Sequence, residues 1–222
     1  MAEIINHDIS LSLLKANDAV SEEVKSHFRK THTYVINLIS SPGSGKTTLL
    51  SKMLSLFNKK KVNVLVGDIE TERDAIRIRK HGIDSYQIIT GGGCHLEAVM
   101  VKQALKLLPE DLDFLFIENV GNLICPSSYD LGEDLRIVML STPEGDDKVL
   151  KYPKAFLTSD VLVISKSDLL PYLPFEKQKV IDEAKMIRPD IKVFFVSALN
   201  NEGLEPLAKY IHKCRNEVYS VA

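Results

Sequence analysis

A short stretch near the start of the chain, Ser40 to Thr48, limits the possible folds more than any other feature. It reads Ser-Ser-Pro-Gly-Ser-Gly-Lys-Thr-Thr. An apolar run precedes it at 34–39, and apolar residues at helical spacing follow it between Leu49 and Phe57. A strand, a glycine-containing turn and a helix start, in this order, match a phosphate-binding loop in which Ser40 replaces the usual first glycine. The stretch therefore predicts a strand–loop–helix unit that binds a nucleotide phosphate.

The loop residues have the chemistry that phosphate binding needs. Glycines let the backbone approach a phosphate closely, and successive N–H groups at a helix N-terminus donate to its oxygens. We expect Lys46 to contact the β- and γ-phosphates and the Thr47 hydroxyl to bind Mg²⁺. The alternative, a glycine-rich turn with a chance lysine, does not account for the register of strand, turn and helix. The predicted nucleotide-binding residues of the loop are Gly43, Ser44, Gly45, Lys46, Thr47 and Thr48.

Composition excludes several classes of partner. The 222 residues are 45% hydrophobic, which suits one domain with a sizeable core. A net charge of −2 and the lack of a long basic run argue against a nucleic-acid partner. No apolar run reaches the roughly 20 residues that span a bilayer and no signal peptide is recognisable, so we expect no membrane partner and a cytoplasmic location. There the three cysteines are expected to be thiols.

Apolar segments and helical patterns alternate along the chain, which predicts an α/β fold. We expect three layers, as in P-loop NTPases, with a mostly parallel sheet and helices on both of its faces. One domain is expected over residues 1–222, with a leading helix within 1–30 that packs on the domain or on a partner, and a P-loop core over 31–222. The predicted strands are 34–39, 62–67, 86–89, 114–117, 137–140, 161–164 and 193–196, and the predicted helices are 8–30, 72–80, 94–108, 175–187 and 204–218.

Polar residues follow several of these strands, where parallel sheets bind their ligands. Asp68 follows the second strand and could reach Mg²⁺ or, alternatively, cap a helix. Asp74 could orient or deprotonate the attacking water, or be a solvated helix carboxylate. Glu118 matches the acidic motif of P-loop proteins, and Gly121 could bring its N–H to the γ-phosphate and sense hydrolysis. The predicted catalytic residues are therefore Lys46, Asp74 and Gly121, and Glu118 is a predicted nucleotide-site residue.

Two later motifs indicate which base is bound. Ser165-Lys166-Ser167-Asp168 resembles the Asn-Lys-x-Asp motif of GTPases, whose carboxylate accepts from guanine N1–H and the amino group. Adenine offers no such pair of donors, so GTP is favoured over ATP. Ser165 replaces the usual asparagine, which we expect to weaken a tether to the phosphate loop. Ser197-Ala198-Leu199 matches the final short motif, whose backbone N–H meets guanine O6. The predicted base-site residues are Lys166, Asp168, Ser197, Ala198 and Leu199.

Two cysteines and a histidine form a further candidate site. Cys94 and His95 follow three glycines and are expected to open the helix 94–108, whose N-terminus favours a thiolate. Cys125 follows the fourth predicted strand. Thiolate and imidazole suit Zn²⁺ or Ni²⁺, and because three ligands cannot close a four-coordinate site, a two-fold dimer would bring two sets together. Spacing alone leaves open two buried cysteines and a surface histidine, and Cys214 is expected to be ordinary packing.

Together these segments resemble a known family, the nickel-insertion GTPases of nickel–iron hydrogenase maturation. The resemblance covers almost the whole chain and is most specific at 118–126. The sibling urease-maturation GTPases share the phosphate loop, but this block and the Gly-Cys-His segment are not expected in them. The cysteine-rich N-terminal motif and the histidine-rich tract of some members are missing here, so we expect no nickel storage. The matching segments are 41–48, 67–71, 93–98, 118–126, 129–132 and 144–148.

The resemblance implies a GTPase of the SIMIBI type, the class whose members dimerise when nucleotide-bound. It implies delivery of nickel to the hydrogenase large-subunit precursor, driven by GTP hydrolysis to GDP, with a small zinc-containing nickel metallochaperone as a further partner. A urease-maturation GTPase and a slow-turnover metal-binding scaffold remain alternatives. The residues to which the resemblance assigns roles are Cys94, His95 and Cys125 of both chains for an interfacial Ni²⁺ or Zn²⁺, Thr47 and Asp68 for Mg²⁺, and Asp74 for catalysis.

Overall fold

A parallel sheet of seven strands forms the centre of the computed structural model, which describes residues 2–69 and 73–219. The strands are β1 Tyr34–Ser40, β2 Val62–Asp68, β3 Asp84–Ile89, β4 Phe114–Gly121, β5 Leu135–Ser141, β6 Val161–Ser165 and β7 Lys192–Val196. Their spatial order is β3-β2-β4-β1-β5-β6-β7, and every adjacent pair is parallel. All seven predicted strands are confirmed. β4 is longer than predicted, so Glu118 and Gly121 lie within it.

Helices cover both faces of the sheet, which confirms the predicted three layers. In β1, Ile36 and Leu38 pack with helices α2 and α8 on one face, whereas Val35 packs with α1 and α4 on the other. Both faces are buried, and this explains why the strands read as continuous apolar runs. The helices are α1 Ala2–Thr31, α2 Lys46–Met53, α3 Arg73–Arg79, α4 Ala98–Ala104, α5 Lys148–Lys151, α6 Pro153–Leu157, α7 Lys177–Ile187 and α8 Leu204–Val218.

The predicted helix start at Cys94 is wrong, because α4 begins only at Ala98. Gly91 and Gly92 have positive φ angles of 62° and 100°, and the chain is still extended at Glu97. The N–H of Ala98 is capped by the side-chain oxygen of Asn17 from α1, at 2.8 Å. Because this cap comes from a distant part of the chain, local sequence gives no signal for it. The short helices α5 and α6 were not predicted from the sequence. The predicted start of the 72–80 helix at Glu72 lies outside the described residues.

The leading helix α1 packs on its own domain, the first of the two possibilities. Val24 is fully buried and Phe28 is 3% exposed, in a cluster shared with α4 and the sheet. Within the same helix Leu13 is exposed, so only one stripe of this part of α1 faces the core. Among the described residues, no helix combines the length and the apolar character that crossing a bilayer requires.

Candidate nucleotide and metal site

A cleft of about 540 Å³ opens beside the phosphate loop, at the carboxyl ends of β2 and β4. The topology places it there because β1 is the central strand and β4 is its direct neighbour. The thiol cluster, which is formed by Cys94, His95 and Cys125, does not line this cleft. Of the residues predicted from the sequence, the cleft brings together Gly43, Gly45, Lys46, Thr47, Thr48, Asp68, Asp74, Glu118, Gly121 and Lys166.

The phosphate loop has the backbone geometry that its glycines predict. Gly43 and Gly45 have φ angles of 76° and 95°, which side chains with a Cβ rarely adopt. Ser40 ends strand β1 and is fully buried, and its hydroxyl accepts a hydrogen bond from Lys46 Nζ at 2.8 Å. Burial lowers the pKa of Lys46, and the nearby Glu118 carboxylate opposes this shift. Ser40 is therefore compatible with the loop and holds the lysine in place.

Thr47 and Glu118 provide oxygen atoms suited to a hard cation. The Thr47 hydroxyl donates to Glu118 Oε1 at 2.6 Å, while the buried Glu118 Oε2 has no hydrogen-bond partner among the described residues. Burial raises the pKa of Glu118 to about 7, although Lys46 and Thr47 favour the charged form. Asp68 lines the same cleft. Hydroxyl and carboxylate oxygens are the ligands that Mg²⁺ prefers, so these residues fit that ion.

Asp74 and Gly121, the predicted contacts of an attacking water and of the γ-phosphate, both line the cleft. Asp74 is in the first turn of α3, lines the cleft and has Arg77 at 3.6 Å. Gly121 packs directly on the phosphate loop, because a Cβ added to it would lie 3.0 Å from Pro42 Cα. A side chain at position 121 would therefore push the strand away from the loop. The glycine allows its backbone N–H to lie at the edge of the cleft.

The predicted base-reading motif is tied to the phosphate loop by two side chains. Ser165 is buried, and its hydroxyl donates to the carbonyl of Ser44 at 2.7 Å. Lys166 has a φ of 55°, and its ammonium donates to the carbonyl of Gly43 at 2.8 Å. The serine side chain therefore reaches a backbone carbonyl of the loop, and the expected weaker tether, relative to asparagine, stays a prediction.

Asp168 and the last short motif lie together at the end of β6 and β7. Asp168 Oδ1 accepts from the hydroxyl of Ser197 at 2.6 Å, and the same hydroxyl accepts from the N–H of Asn200 at 3.1 Å. Ala198 is half-buried and Leu199 is 79% exposed. Asp168, Ser197, Ala198 and Leu199 do not line the cleft itself. They form a neighbouring surface, on the side of the loop that Lys166 occupies.

Cys94, His95 and Cys125 come together in space, with one ligand atom from each within 4.8 Å of the others. Cys94 Sγ lies 3.6 Å from His95 Nδ1, and the imidazole stacks on Tyr129 with ring centroids 3.9 Å apart. The buried Nε2 of His95 has no hydrogen-bond partner among the described residues. The alternative of two buried cysteines and a surface histidine does not describe this arrangement. Both thiols are half-buried, and so is the ring.

The protonation of this cluster suits a soft metal. Burial lowers the pKa of His95, which keeps the imidazole neutral and able to donate a lone pair. A hydrogen bond with Cys94, together with burial, raises the pKa of the Cys125 thiol. A metal must therefore displace a thiol proton. Cys214 is in α8 beside the main core, away from the cluster, as its packing role predicts.

A model of the family described as CobW/HypB/UreG, nucleotide-binding domain, matches residues 34–195. The chain belongs to this family. Within it, the chain is 44% identical over 212 residues to the hydrogenase/urease maturation factor HypB of Helicobacter hepaticus, covering 93% of this chain and 87% of that protein. It is 41% identical over 210 residues to the hydrogenase maturation factor HypB of Escherichia coli K12, covering 94% and 72%. The predicted resemblance to hydrogenase-maturation proteins is confirmed.

Solved structures of the CobW/HypB/UreG family share the fold. The crystal structure of HypB from Helicobacter pylori in complex with nickel has a TM-score of 0.88 and 44% identity, covering 92% of this chain and 97% of that one. The Archaeoglobus fulgidus HypB structure has a TM-score of 0.84 and 35% identity, covering 91% and 100%. The signal recognition particle 54 kDa protein of Aeropyrum pernix, at 13% identity and a TM-score of 0.54, shares the fold alone and covers 85% and 49%. The predicted SIMIBI-type fold is confirmed.

Glu144 supports the phosphate loop of this CobW/HypB/UreG domain, and sequence reasoning gave it no role of its own. Its Oε2 accepts from the hydroxyl of Ser44 and from the N–H of Ser141, both at 2.8 Å. The sequence indicated Glu144 only through its position in segment 144–148, one of the segments that resemble the hydrogenase-maturation family. Ser141 and Glu144 form a capping box directly after β5, so the Glu144 carboxylate caps the backbone there and also accepts from Ser44 of the phosphate loop.

Gly67 allows the segment that carries His95 to pack closely on strand β2. An added Cβ at Gly67 would lie 2.7 Å from Leu96 Cγ, inside the Leu96 side chain. Leu96 is fully buried and directly follows His95. Since Asp68 directly follows Gly67, the segment that carries the imidazole packs against the strand end that carries a predicted Mg²⁺ ligand. Sequence reasoning missed this contact, which has no local pattern.

Proposed function

We propose that this protein is a GTP-hydrolysing metallochaperone that delivers nickel for the maturation of nickel–iron hydrogenase. The observation that carries the proposal is the position of β4. Glu118 and Gly121 of this strand line the nucleotide cleft, and Cys125 follows a few residues later in the thiol cluster. A change of nucleotide contacts at β4 therefore acts on a backbone segment that also carries a candidate metal ligand.

GTP binding and hydrolysis are assigned to the cleft and its neighbouring surface. The backbone of 43–48 surrounds the phosphates, Lys46 stabilises their charge and Asp168 accepts from guanine. Asp74 orients the attacking water, and the N–H of Gly121 contacts the γ-phosphate until hydrolysis removes it. Thr47, Asp68 and Glu118 would hold Mg²⁺, which when bound neutralises charge on the phosphate oxygens.

Nickel is proposed as the cargo of Cys94, His95 and Cys125. Three donors leave a tetrahedral or square-planar site incomplete, whereas two copies related by a two-fold axis supply six. GTP joins the two copies, and hydrolysis releases the contacts that keep the sets of donors together. The relative solved with nickel supports nickel as the cargo, and Zn²⁺ suits the same donors.

The partners are proposed from the relatives that are named as hydrogenase maturation factors. We infer that a small zinc-containing nickel metallochaperone supplies the ion and that the hydrogenase large-subunit precursor receives it. The whole chain, 1–222, acts as one GTPase domain with α1 packed on the core. The cytoplasm is the proposed compartment, because thiolate ligands are kept reduced there.

The decisive experiment measures nickel affinity and dimerisation in the presence of GDP and of a non-hydrolysable GTP analogue. Linkage requires that nickel and GTP each tighten binding of the other if both favour the dimer. We expect a GTP-dependent dimer in sedimentation and tighter nickel binding with the analogue. Cys94→Ala should lose the tighter nickel binding with the analogue and keep the nucleotide-dependent dimer. Equal nickel affinities in the two nucleotide states of the wild type would remove this mechanism.

A second candidate is a role in urease maturation, because the Helicobacter relatives are named hydrogenase/urease maturation factors. Activation of the apo-hydrogenase or of the apo-urease by the purified protein distinguishes the two. A third, a scaffold whose hydrolysis is too slow to matter, is tested with Lys46→Ala and Asp74→Ala. If these variants load hydrogenase with nickel as the wild type does, the scaffold is favoured.

A further inference from the structure

A buried polar network joins the nucleotide cleft to the thiol cluster. Its centre is Asn119, which lies in β4 between Glu118 and Gly121 and is 1% exposed. The register of β1 and β4 shifts here, because Leu38 pairs with Glu118 but Ser40 pairs with Gly121. β4 therefore contains one extra residue, a β-bulge. Bulges turn a side chain in a new direction and are common beside active sites.

The carboxamide oxygen of Asn119 binds both the bulge and the cluster segment. It accepts from the N–H of Val120 at 2.9 Å, inside the bulge. It also accepts from the N–H of Leu96 at 3.1 Å, and Leu96 directly follows His95. One oxygen atom thus holds the strand that contacts the nucleotide and the backbone that carries the imidazole.

The carboxamide nitrogen of Asn119 begins a second path through the sheet. It donates to Asn37 Oδ1 at 3.3 Å, and Asn37 Nδ2 donates to Glu133 Oε1 at 3.0 Å. Arg136 Nε donates to the same Glu133 oxygen at 2.6 Å. All four side chains are less than 10% exposed. The path therefore runs through the interior of the sheet.

Arg136 brings this second path back to the cluster. Its guanidinium donates to the carbonyl of Tyr129 at 2.9 Å and to that of Ser127 at 3.4 Å, in the segment that follows Cys125. The Tyr129 ring stacks on His95. Asn119 thus contacts the imidazole segment directly at the Leu96 N–H. Through Arg136 it is also linked to the backbone of Tyr129, whose ring lies against His95.

The composition of the network indicates a positional role. The buried ion pair of Glu133 and Arg136 adds little stability compared with apolar residues of the same volume, because both charges lose their hydration. The best attested use of such buried polar groups is to fix one arrangement among several. Here the arrangement that they fix is the distance between β4 and the two segments that carry the cluster.

We propose that Asn119 is a positioning residue that couples the nucleotide state of the cleft to the geometry of the thiol cluster. This inference rests on the proposed function. Contact between the γ-phosphate and Gly121 changes the bulge, Asn119 moves with the bulge, and the Leu96 N–H moves with Asn119. The imidazole of His95 then lies at a different distance from the two thiols. The bulge is the element that has different contacts in the two nucleotide states, as coupling requires.

The test compares Ni²⁺ affinity in the two nucleotide states for the wild type, Asn119→Ala and Asn63→Ala. Asn63 is the matched control, because it is a buried asparagine of the same sheet, 2% exposed, and outside the network. We expect an affinity ratio between the GTP-analogue and GDP states of about tenfold or more in the wild type and Asn63→Ala, in the usual range of coupling. In Asn119→Ala the ratio, measured at saturating nucleotide because Asn119 also lines the cleft, falls to within about twofold of unity.

The outcomes separate this inference from the function on which it rests. No nucleotide dependence in the wild type overturns both. A wild-type ratio that persists in Asn119→Ala overturns the role of Asn119 alone. Asn119→Asp keeps the acceptor oxygen and loses the donor, so it should retain the ratio if the Leu96 contact carries the coupling.

A measurement on the wild type removes any dependence on how well the variants fold. Amide hydrogen exchange at Leu96, resolved by NMR without nickel, reports directly on the bond to Asn119. We expect its exchange rate to differ by about tenfold between the GDP and GTP-analogue states, the range expected for coupled sites. Identical exchange rates at Leu96 in the two states would refute the proposal.

Discussion

The nucleotide cleft and the thiol cluster lie at the same edge of the sheet but differ in how complete they are within one chain. In the cleft, Lys46 is held by Ser40 and Thr47 is held by Glu118, and all four side chains are buried. In the cluster, three half-buried side chains meet and the Nε2 of His95 has no hydrogen-bond partner among the described residues. The cleft is thus organised before its ligand arrives, whereas the cluster offers three candidate metal donors from one chain.

Under the proposed function, the two sites use a second copy differently. The residues of the cleft are already paired within one chain, so a monomer has the groups that contact nucleotide. The cluster has three donors, so it would reach full coordination only in the proposed dimer. Predictions that affect one site and leave the other unchanged test this division.

Lys46→Ala should have the largest effect. It removes the buried cation that stabilises the phosphate charge, and groups of this kind contribute about 10²–10³-fold to turnover. We expect GTP hydrolysis to fall by this factor in a phosphate-release assay, with nickel binding of the GDP-treated protein unchanged. Lys52→Ala, an exposed lysine of the same helix, is the control. Normal hydrolysis by Lys46→Ala would show that the cleft is not the GTPase site.

Cys125→Ala should affect the cluster alone. Removing a direct ligand should weaken nickel binding by at least about a hundredfold, more than the 10–100-fold typical of groups around a metal site. GDP affinity should not change. Cys214→Ala is the matched control, because its thiol packs beside the core in α8. Titration with Ni²⁺ under reducing conditions measures both, and equal loss in the two variants contradicts the assignment.

Asp168→Asn should change the base preference without affecting the cluster. A carboxylate accepts two hydrogen bonds from guanine, whereas an amide also donates and so suits xanthine, which has an oxygen in place of the amino group. Loss of such a pair is worth about 1–3 kcal/mol, or roughly 10–100-fold in GTP affinity. Competition between GTP and xanthosine triphosphate measures the switch. A variant that weakens both nucleotides equally would indicate a purely structural role for Asp168.

The pH dependence of Mg²⁺-dependent nucleotide binding should follow Glu118. Its pKa is raised to about 7, so below that pH the carboxyl carries a proton that a cation must displace. We expect affinity to fall by up to about tenfold per pH unit below pH 7 and to level off above it. The stability of the nucleotide-free protein should change with pH in the opposite direction. Because the pKa of Glu118 is raised on folding, its protonated carboxyl contributes fully to the free energy of unfolding below the reference pKa of 4.5, and this contribution is lost as the pH rises towards 7.

The control for this profile is Glu118→Gln, which cannot titrate. Its nucleotide affinity should be lower and independent of pH across the same range. Isothermal titration in buffers of different ionisation enthalpy also counts the proton released on binding. A profile that is the same in the variant and the wild type assigns the titration to another group.

Ser165→Ala should have the smallest effect. It removes the hydrogen bond to the carbonyl of Ser44, worth about 1 kcal/mol, so GTP affinity should fall roughly fivefold. Ser165→Asn, which restores the residue usual in GTPases, should change affinity less than this, because serine already makes the tether. Fluorescent nucleotide titration distinguishes these values. A larger gain with asparagine than the loss with alanine would show that the serine tether is weak in solution.

The fold was predictable from sequence because its signals are local. The five inner strands β1, β2, β4, β5 and β6 are buried on both faces and therefore read as apolar runs. The phosphate loop combines strand, glycines and helix within a few residues of Lys46. The base motif at Lys166 and Asp168 follows its own strand in the same way. These features need no knowledge of distant contacts.

The features that the sequence did not reveal depend on distant partners. Helix α4 begins at Ala98 and not at Cys94 as predicted, because its capping residue, Asn17, comes from α1. The strength of the Ser165 tether was predicted from the residue type alone. Its partner, the carbonyl of Ser44, lies far away in the sequence. Asn119 lies in the most specific segment of the resemblance, but its partners come from β1 and from the segment before α4.

Gly67 joins the two sites at a single backbone position. Any larger residue there would displace Leu96, and with it the imidazole segment, while shifting the strand end at Asp68. One substitution at Gly67 should therefore disturb the cleft and the thiol cluster at the same time.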